Sequence, residues 1–383
     1  MIAHGRVRAV RDGAVEIDLP AVPVGSMVRL DARPHSLLAC VVSVHDGGAR
    51  VAPQGSLEGI VPGACVVEEV PRGLQRAAPP RRVALREPLW TGVRAIDALL
   101  TLGRGARIGI FGGPGLGKST LLETIVEGTR ADAVVLALVG ERGREAQRWT
   151  ASRDRRTTIF CATSDRSATE RIAAANEACT RSEALARRGL HVLLVMDSLA
   201  RYALAVRDVA LARGESVGRA GYPPSVFGEM ARLVERAGSF ERGSITVIAT
   251  VLNDGDDRDP VSEAARSLLD GHVQLSARLA HAGHFPAIDV PASSSRTMDD
   301  VVDPHHAGAA ARVRGALALL ERARDARSLG IVPVDGPTLR AVAAETALEA
   351  LVRQGRAAER PERSLEALVR TADTLGGPYE HQL

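Results

Sequence analysis

Between residues 5 and 69 the apolar positions fall in short runs, GRVRAV, GAVEIDL, SMVRLD, LLACVVSVH, GARVAP and ACVVEE, punctuated by Gly, Asp and Pro. Strand-length runs broken by turn formers predict a small β-barrel or sandwich. Residues 70–88 are rich in proline and arginine and read as a linker. After them the apolar runs lengthen: AVVLALV, TTIFCA, HVLLVM and SITVIATV alternate with helix-like segments. Continuous apolar strands separated by helices imply a mostly parallel α/β sheet, buried on both faces. From about residue 301 the text turns rich in alanine, leucine and arginine with helical spacing. The expected units are a barrel-like domain over 1–70, a linker over 71–88, an α/β core over 89–305 and a helical domain over 306–383.

Composition removes several function classes. With 49 basic against 46 acidic residues, the net charge of +3 gives no electrostatic case for nucleic-acid binding. Aromatic residues make up 3% of the chain, and none lies in residues 1–85, so a base-stacking N-terminal face is not expected. The four cysteines, Cys40, Cys65, Cys161 and Cys179, form no C-x-x-C pair and suit reduced thiols in a cytosolic protein. MIAHGRVRAV has no apolar core and does not read as a secretory signal, and no run approaches the length of a membrane span.

Candidate chemistry begins at IGIFGGPGLGKSTLL, residues 108–122. Gly112, Gly113, Gly115 and Gly117, with Pro114 and Leu116 between them, let the backbone curl so that successive N–H groups face a polyphosphate. Lys118 brings a positive charge to the β/γ-phosphates and Ser119 a hydroxyl for Mg²⁺, while Thr120 continues into a helix whose N-terminus favours anions. The spacing Gly112 to Ser119, between an apolar strand and a helix, establishes nucleoside triphosphate binding. Asp197, closing the strand HVLLVMD, stands where an acid holds Mg²⁺ opposite Ser119.

Two further stretches bear on hydrolysis. Glu141 follows the strand AVVLALV, where a carboxylate can orient an attacking water. Glu141, Arg142, Arg144 and Glu145 equally fit a solvated surface cluster, and the residues alone leave that choice open. In HFPAIDVPASSSRTMDD, Arg296 offers a guanidinium suited to charge on a transferring γ-phosphate, in cis or from a neighbouring subunit, and Phe285 a ring on which adenine can stack. His272, His281, His284, His305 and His306 show no zinc-ligand spacing and read as packed or solvated side chains.

Taken together, EPLWTGVRAIDALLTLGRGARIGIFGGPGLGKSTLL, LVGERGRE, LLVMDSLARYALAVRDVAL, GYPPSVFGEMARLVERAG, GSITVIATVLNDGDDRDPVSEAARSLLDGHVQLS and HFPAIDVPASSSRTM resemble the ATPase of type III secretion systems and flagellar export. That family is in turn similar to the catalytic subunit of rotary ATP synthases. The resemblance runs over about residues 86–300, and more loosely over 5–70. It implies a RecA-like core with an N-terminal β-barrel and a C-terminal helical domain. It implies that Lys118 and Ser119 bind phosphates and Mg²⁺, that Asp197 is the Mg²⁺-side acid and that Glu141 activates water. Arg142 and Arg201 match active-site arginines near the phosphates, Arg296 matches an arginine finger inserted across a subunit interface, and Phe285 stands where an aromatic contacts adenine.

The resemblance also implies ATP and Mg²⁺ as cofactors and a homohexamer with sites between subunits. Its implied partners are a central stalk, a peripheral regulator and chaperone–substrate complexes, at a cytoplasmic position peripheral to the inner-membrane export gate, with no nucleic acid. Protein secretion is the leading expectation. A flagellar export ATPase, a catalytic-type rotary synthase subunit and a hexameric nucleic-acid translocase are the alternatives. The family's extra N-terminal segment is expected to be absent, and its N-terminal domain shortened. Beyond residue 310 the text departs from the family's.

Overall fold

The computed structural model describes residues 4–11, 14–19, 22–32, 35–53, 57, 59–69, 81–150, 156–252, 259–330 and 335–376. The linker expected over 71–88 lies mostly outside the described residues. From residue 81 onward its text runs along the core, where Val83 N donates to Ser239 O at 3.0 Å and Arg82 pairs with Glu235 at 2.9 Å.

Six N-terminal strands, β1 (His4–Arg11), β2 (Ala14–Ile17), β3 (Met27–Ala32), β4 (His35–His45), β5 (Gly48–Pro53) and β6 (Cys65–Glu69), close into a barrel in the order β1-β2-β5-β4-β3-β6. Its interior holds Val15, Ile17, Leu30, Val41, Val51 and Val66. Closure pairs every strand edge, which explains how such short strands hold together.

A short ribbon of β7 (Pro88–Leu89) and β8 (Leu102–Gly103), with α1 (Arg94–Leu99) between them, leads into the main sheet. Six of its strands run parallel, in the order β11 (Thr157–Ala162), β10 (Ala133–Val139), β12 (His191–Asp197), β14 (Ser244–Leu252), β9 (Arg107–Gly112) and β15 (Gly271–Leu275). β16 (Ile288–Ser295) closes one edge antiparallel, and the short β13 (Gly238–Ser239) pairs with β14.

Alternation along β10 shows why the strands read as continuously apolar. Val134, Leu136 and Leu138 enter one hydrophobic cluster, and Val135, Ala137 and Val139 the other. The first cluster is covered by α1, α2 (Lys118–Gly128) and α3 (Gly143–Thr150), the second by α4 (Ala168–Ala186), α5 (Leu199–Ala212), α6 (Pro224–Val234) and α7 (Pro260–Leu268). Sequence-coded caps start these helices: Ser167 and Glu170 form a capping box on α4, Ser198 caps α5 and Asp259 caps α7.

After the short α8 (Ala277–His281) and α9 (Met298–Val301) come α10 (Pro304–Ser328), α11 (Gly336–Ala343), α12 (Glu345–Val352) and α13 (Pro361–Thr374). Val313, Leu320, Leu348, Leu351 and Leu368 from these helices join the same cluster as Leu122, Ile125 and Leu136 of the sheet layer. The C-terminal helices therefore extend the core of the sheet rather than enclosing one of their own.

Candidate active site

Register brings the functional residues to one edge. Leu252 pairs with Gly112, Met196 with Ala249 and Leu138 with Asp197, so β9, β10, β12 and β14 all end on the same side. The loop after β9, the Gly140–Glu141 turn after β10 and Asp197 at the end of β12 meet in the crevice where parallel α/β sheets place ligands.

In the loop, Gly115 and Gly117 have φ of +77° and +86°, a region that disfavours side chains. Gly117 is the N-cap of α2, and Phe285 packs over it, with ring carbons 3.6 Å from where a Cβ would stand. Lys118 Nζ donates to the carbonyls of Gly112 and of Gly113, the latter at 2.9 Å.

Ser119, Glu141, Glu145 and Asp197 line a cavity of about 10 Å³, walled also by Leu138 and Trp149. That is room for roughly one water molecule. Asp197 is held from the next strand by Thr250, whose hydroxyl donates to Oδ1 at 2.5 Å. Burial raises the pKa of Asp197, while Thr250, Arg201 and Lys118 favour its charged form.

Glu141 is only 5% exposed, so it belongs to the interior and not to a solvated cluster, whereas Arg142 and Arg144 are exposed. Burial, a hydrogen bond with Glu145 and the charge of Asp197 together push the Glu141 pKa upward. The same hydrogen bond lowers that of Glu145. The two carboxyl groups thus favour opposite protonation states. Arg201 pairs with Glu141 at 3.3 Å and donates to the Gly140 carbonyl. Gly140 has φ +71°, a region that favours glycine, and a Cβ there would stand a tight 3.2 Å from Arg201 Cδ.

The candidate metal donors are oxygens only: the Ser119 hydroxyl and the Asp197 carboxylate. Among the described residues no group of three or more His, Cys, Asp or Glu is arranged to hold a metal alone. The oxygen donors fit Mg²⁺, which takes one or two protein oxygens and completes its shell with phosphates and water.

Beside the loop lies a cleft of about 380 Å³ lined by Leu116, Thr120, Phe285 and, from the C-terminal region, Gln354, Gly355 and Arg356. The sequence reading named Leu116, Thr120 and Phe285 but not the C-terminal tripeptide, Thr250, or Glu145 as a partner of Glu141.

Arg296 is not brought to this group. Gly271 pairs with both Ile108 and Ser295, and Arg296 N donates to Asp270 O at 3.0 Å, which sets Arg296 level with the start of β9. Five residues of strand, roughly 16 Å, separate that level from Gly112. Arg296 is exposed there. Of the histidines, His306 is buried with Nε2 2.9 Å from Ala98 O, His284 is buried, and His272 is 3.0 Å from Ala292 O. The four cysteines are free thiols. Among the described residues no helix is long and apolar enough to cross a membrane.

Comparison with known proteins gives a consistent set. Residues 92–295 match the model of the ATP synthase alpha/beta family, nucleotide-binding domain. A type 3 secretion system ATPase of Sinorhizobium fredii is 40% identical over 398 residues, covering 92% of this chain and 88% of that protein. The flagellum-specific ATP synthase of Pseudomonas aeruginosa is 40% identical over 390 residues, covering 90% and 86%. Among solved structures, the assembled ATPase EscN of the enteropathogenic E. coli type III secretion system superposes with a TM-score of 0.88 at 34% identity, covering 96% of this chain and 100% of that one. EscN in complex with its central stalk EscO superposes with 0.85 at 34% identity, with the same coverage.

Proposed function

This chain belongs to the ATP synthase alpha/beta family, among its type III secretion and flagellar export ATPases, and we propose that it is the ATP-hydrolysing motor of a type III protein secretion apparatus. It is an ATPase, and its substrate is a nucleoside triphosphate bound at the Gly112–Thr120 loop. The observation that carries the mechanism is the convergence of Lys118, Ser119, Glu141 and Asp197 at one sheet edge while Arg296 stands at the other.

In this reading Lys118 leaves the loop carbonyls for the β/γ-phosphates, and the loop N–H groups cradle the chain of phosphates. Ser119 and Asp197 would hold Mg²⁺, which supplies charge neutralisation on the phosphate oxygens. Glu141 orients the attacking water and, in its ionised form paired with Arg201, accepts its proton, while Arg142 stands close to the phosphates. Phe285 stacks on the base.

A finger arginine that stands away from its own phosphate loop is placed to serve a neighbour. Head-to-tail contacts of that kind close into rings, and a homohexamer is the arrangement proposed here. EscN is known both assembled and with its stalk EscO, which supports a central-stalk partner for this chain. Chaperone–substrate docking and a cytoplasmic position at the inner-membrane gate follow from the same reading. Flagellar export is the second reading, supported by the flagellar relative at equal identity.

The test is Glu141→Gln. ATP binding measured by calorimetry is expected to persist while turnover falls on the order of 10²- to 10⁴-fold. Turnover that survives the substitution removes Glu141 from the mechanism.

A further inference from the structure

Arg296 and Thr297 form the turn from β16 to α9, and three consecutive residues there are tied to different parts of the core. Arg296 N donates to the Asp270 carbonyl at 3.0 Å. Ser295 Oγ, just before it, donates to Thr101 O at 2.7 Å, and Thr297 Oγ1, just after it, accepts from Gly103 N at 3.0 Å. The backbone is therefore held on both sides while the Arg296 side chain stays exposed.

Asp270 is in turn held by Arg107, the first residue of β9. Asp270 N donates to Arg107 O at 2.7 Å, and its carboxylate accepts from Arg107 N at 2.9 Å and from Nε and Nη2, each at 3.1 Å. The remaining guanidinium nitrogen, Nη1, pairs with Glu235 at the end of α6. The Arg107 and Asp270 side chains are 15% and 26% exposed, so the pair escapes most of the screening that weakens surface ion pairs. Charge-assisted bonds from a planar fork fix direction as well as distance. This grip lies at the far end of β9 from Gly112.

We infer that Asp270, gripped by Arg107, is a positioning residue for Arg296, setting the finger toward the neighbouring subunit's phosphates without touching nucleotide itself. The inference rests on the finger reading above and adds the residues that hold the finger in place. The Asp270 carboxylate, committed to Arg107, is not offered to the finger guanidinium. A misplacement of about 1 Å at a positioned group costs about 100-fold in rate.

The experiment is turnover in mixtures of the full chain and its variants, with the Mg–ATP affinity of each variant read by calorimetry. Asp270→Asn keeps the shape of the side chain and removes the charge that grips the fork. It is expected to bind Mg–ATP as wild type does and to turn over about 10- to 100-fold more slowly. The decisive readout is the side of the interface on which the defect falls. Mixed with Glu141→Gln, whose finger turn is intact, Asp270→Asn is expected to recover turnover toward about one quarter of wild type, as Arg296→Ala is. Mixed with Arg296→Ala it is expected to recover nothing, because both variants fail on the finger side. Arg107→Lys, which keeps the charge and loses the fork, is expected to show the same one-sided rescue. A general loss of packing would cripple both sides of the subunit and would not be rescued in one direction only.

Wild-type turnover in Asp270→Asn, weakened Mg–ATP binding, or rescue by Arg296→Ala each overturns the inference. A defect in Asp270→Asn and Arg107→Lys that Glu141→Gln leaves unrescued, while it rescues Arg296→Ala, overturns the inference and leaves the finger standing. If Arg296→Ala itself goes unrescued, the finger reading fails and this inference fails with it.

Discussion

Thr250 on β14, itself fully buried, donates its hydroxyl to Asp197 Oδ1 at 2.5 Å and so holds the carboxylate that lines the Ser119 cavity. A buried hydroxyl costs free energy unless it is bonded, and Asp197 is the partner that satisfies this one. Thr250→Val keeps the shape and removes the donor. Turnover is expected to fall about tenfold, and Thr250→Ser to retain most of it, measured as kcat at saturating ATP.

Gly140 couples Arg201 to Glu141. Its positive φ strains any side chain, and a Cβ 3.2 Å from Arg201 Cδ would push the arginine aside. Gly140→Ala is expected to cost about 1–2 kcal/mol in urea unfolding and to lower turnover more than tenfold, because Arg201 and the Glu141 carboxylate move apart. Wild-type turnover in a folded Gly140→Ala variant would show that this turn does not set the carboxylate.

How much of this was legible in the sequence follows from how local each signal is. The phosphate loop is contiguous, and Asp197 closes an apolar strand, so both were readable. Glu141 was ambiguous because GERGRE is a charge cluster in text. Only the fold shows that α3 starts at Gly143, turning Glu141 inward and leaving Arg142 and Arg144 exposed. Thr250 was hidden within SITVIATV, where one threonine looks like an ordinary β-former. Gln354 and Arg356 lie more than 200 residues from the phosphate loop, in text that departs from the family's, and α12 and the following turn bring them back to it. The six-stranded barrel was readable as strands, while the closure itself came from pairing.

His191, at the start of β12, is buried with Nδ1 2.6 Å from Ser244 Oγ. Burial first, and then the nearby Arg104, push its pKa down from 6.5 to about 4, against the pull of Asp132 and Glu87. The unfolded chain therefore binds this proton more tightly than the native state does. Stability from this group is present above pH 6.5 and is lost as pH falls toward 4. Between neutral pH and pH 4.5 the loss is on the order of 2–3 kcal/mol, and His191→Gln is expected to flatten that part of the curve. Equal pH dependence in both proteins, read from urea midpoints, would exclude His191 as its source.

The central claim is that each site is completed by the neighbour's Arg296. The direct measurement mixes Glu141→Gln with Arg296→Ala, each expected to be inactive alone. In a head-to-tail ring, an Arg296→Ala subunit keeps its own Glu141 and can take the finger of a Glu141→Gln neighbour. An equal mixture is expected to recover turnover approaching about one quarter of wild type, the fraction of interfaces with both residues intact in random assembly. A mixture that assembles and stays inactive would contradict the account.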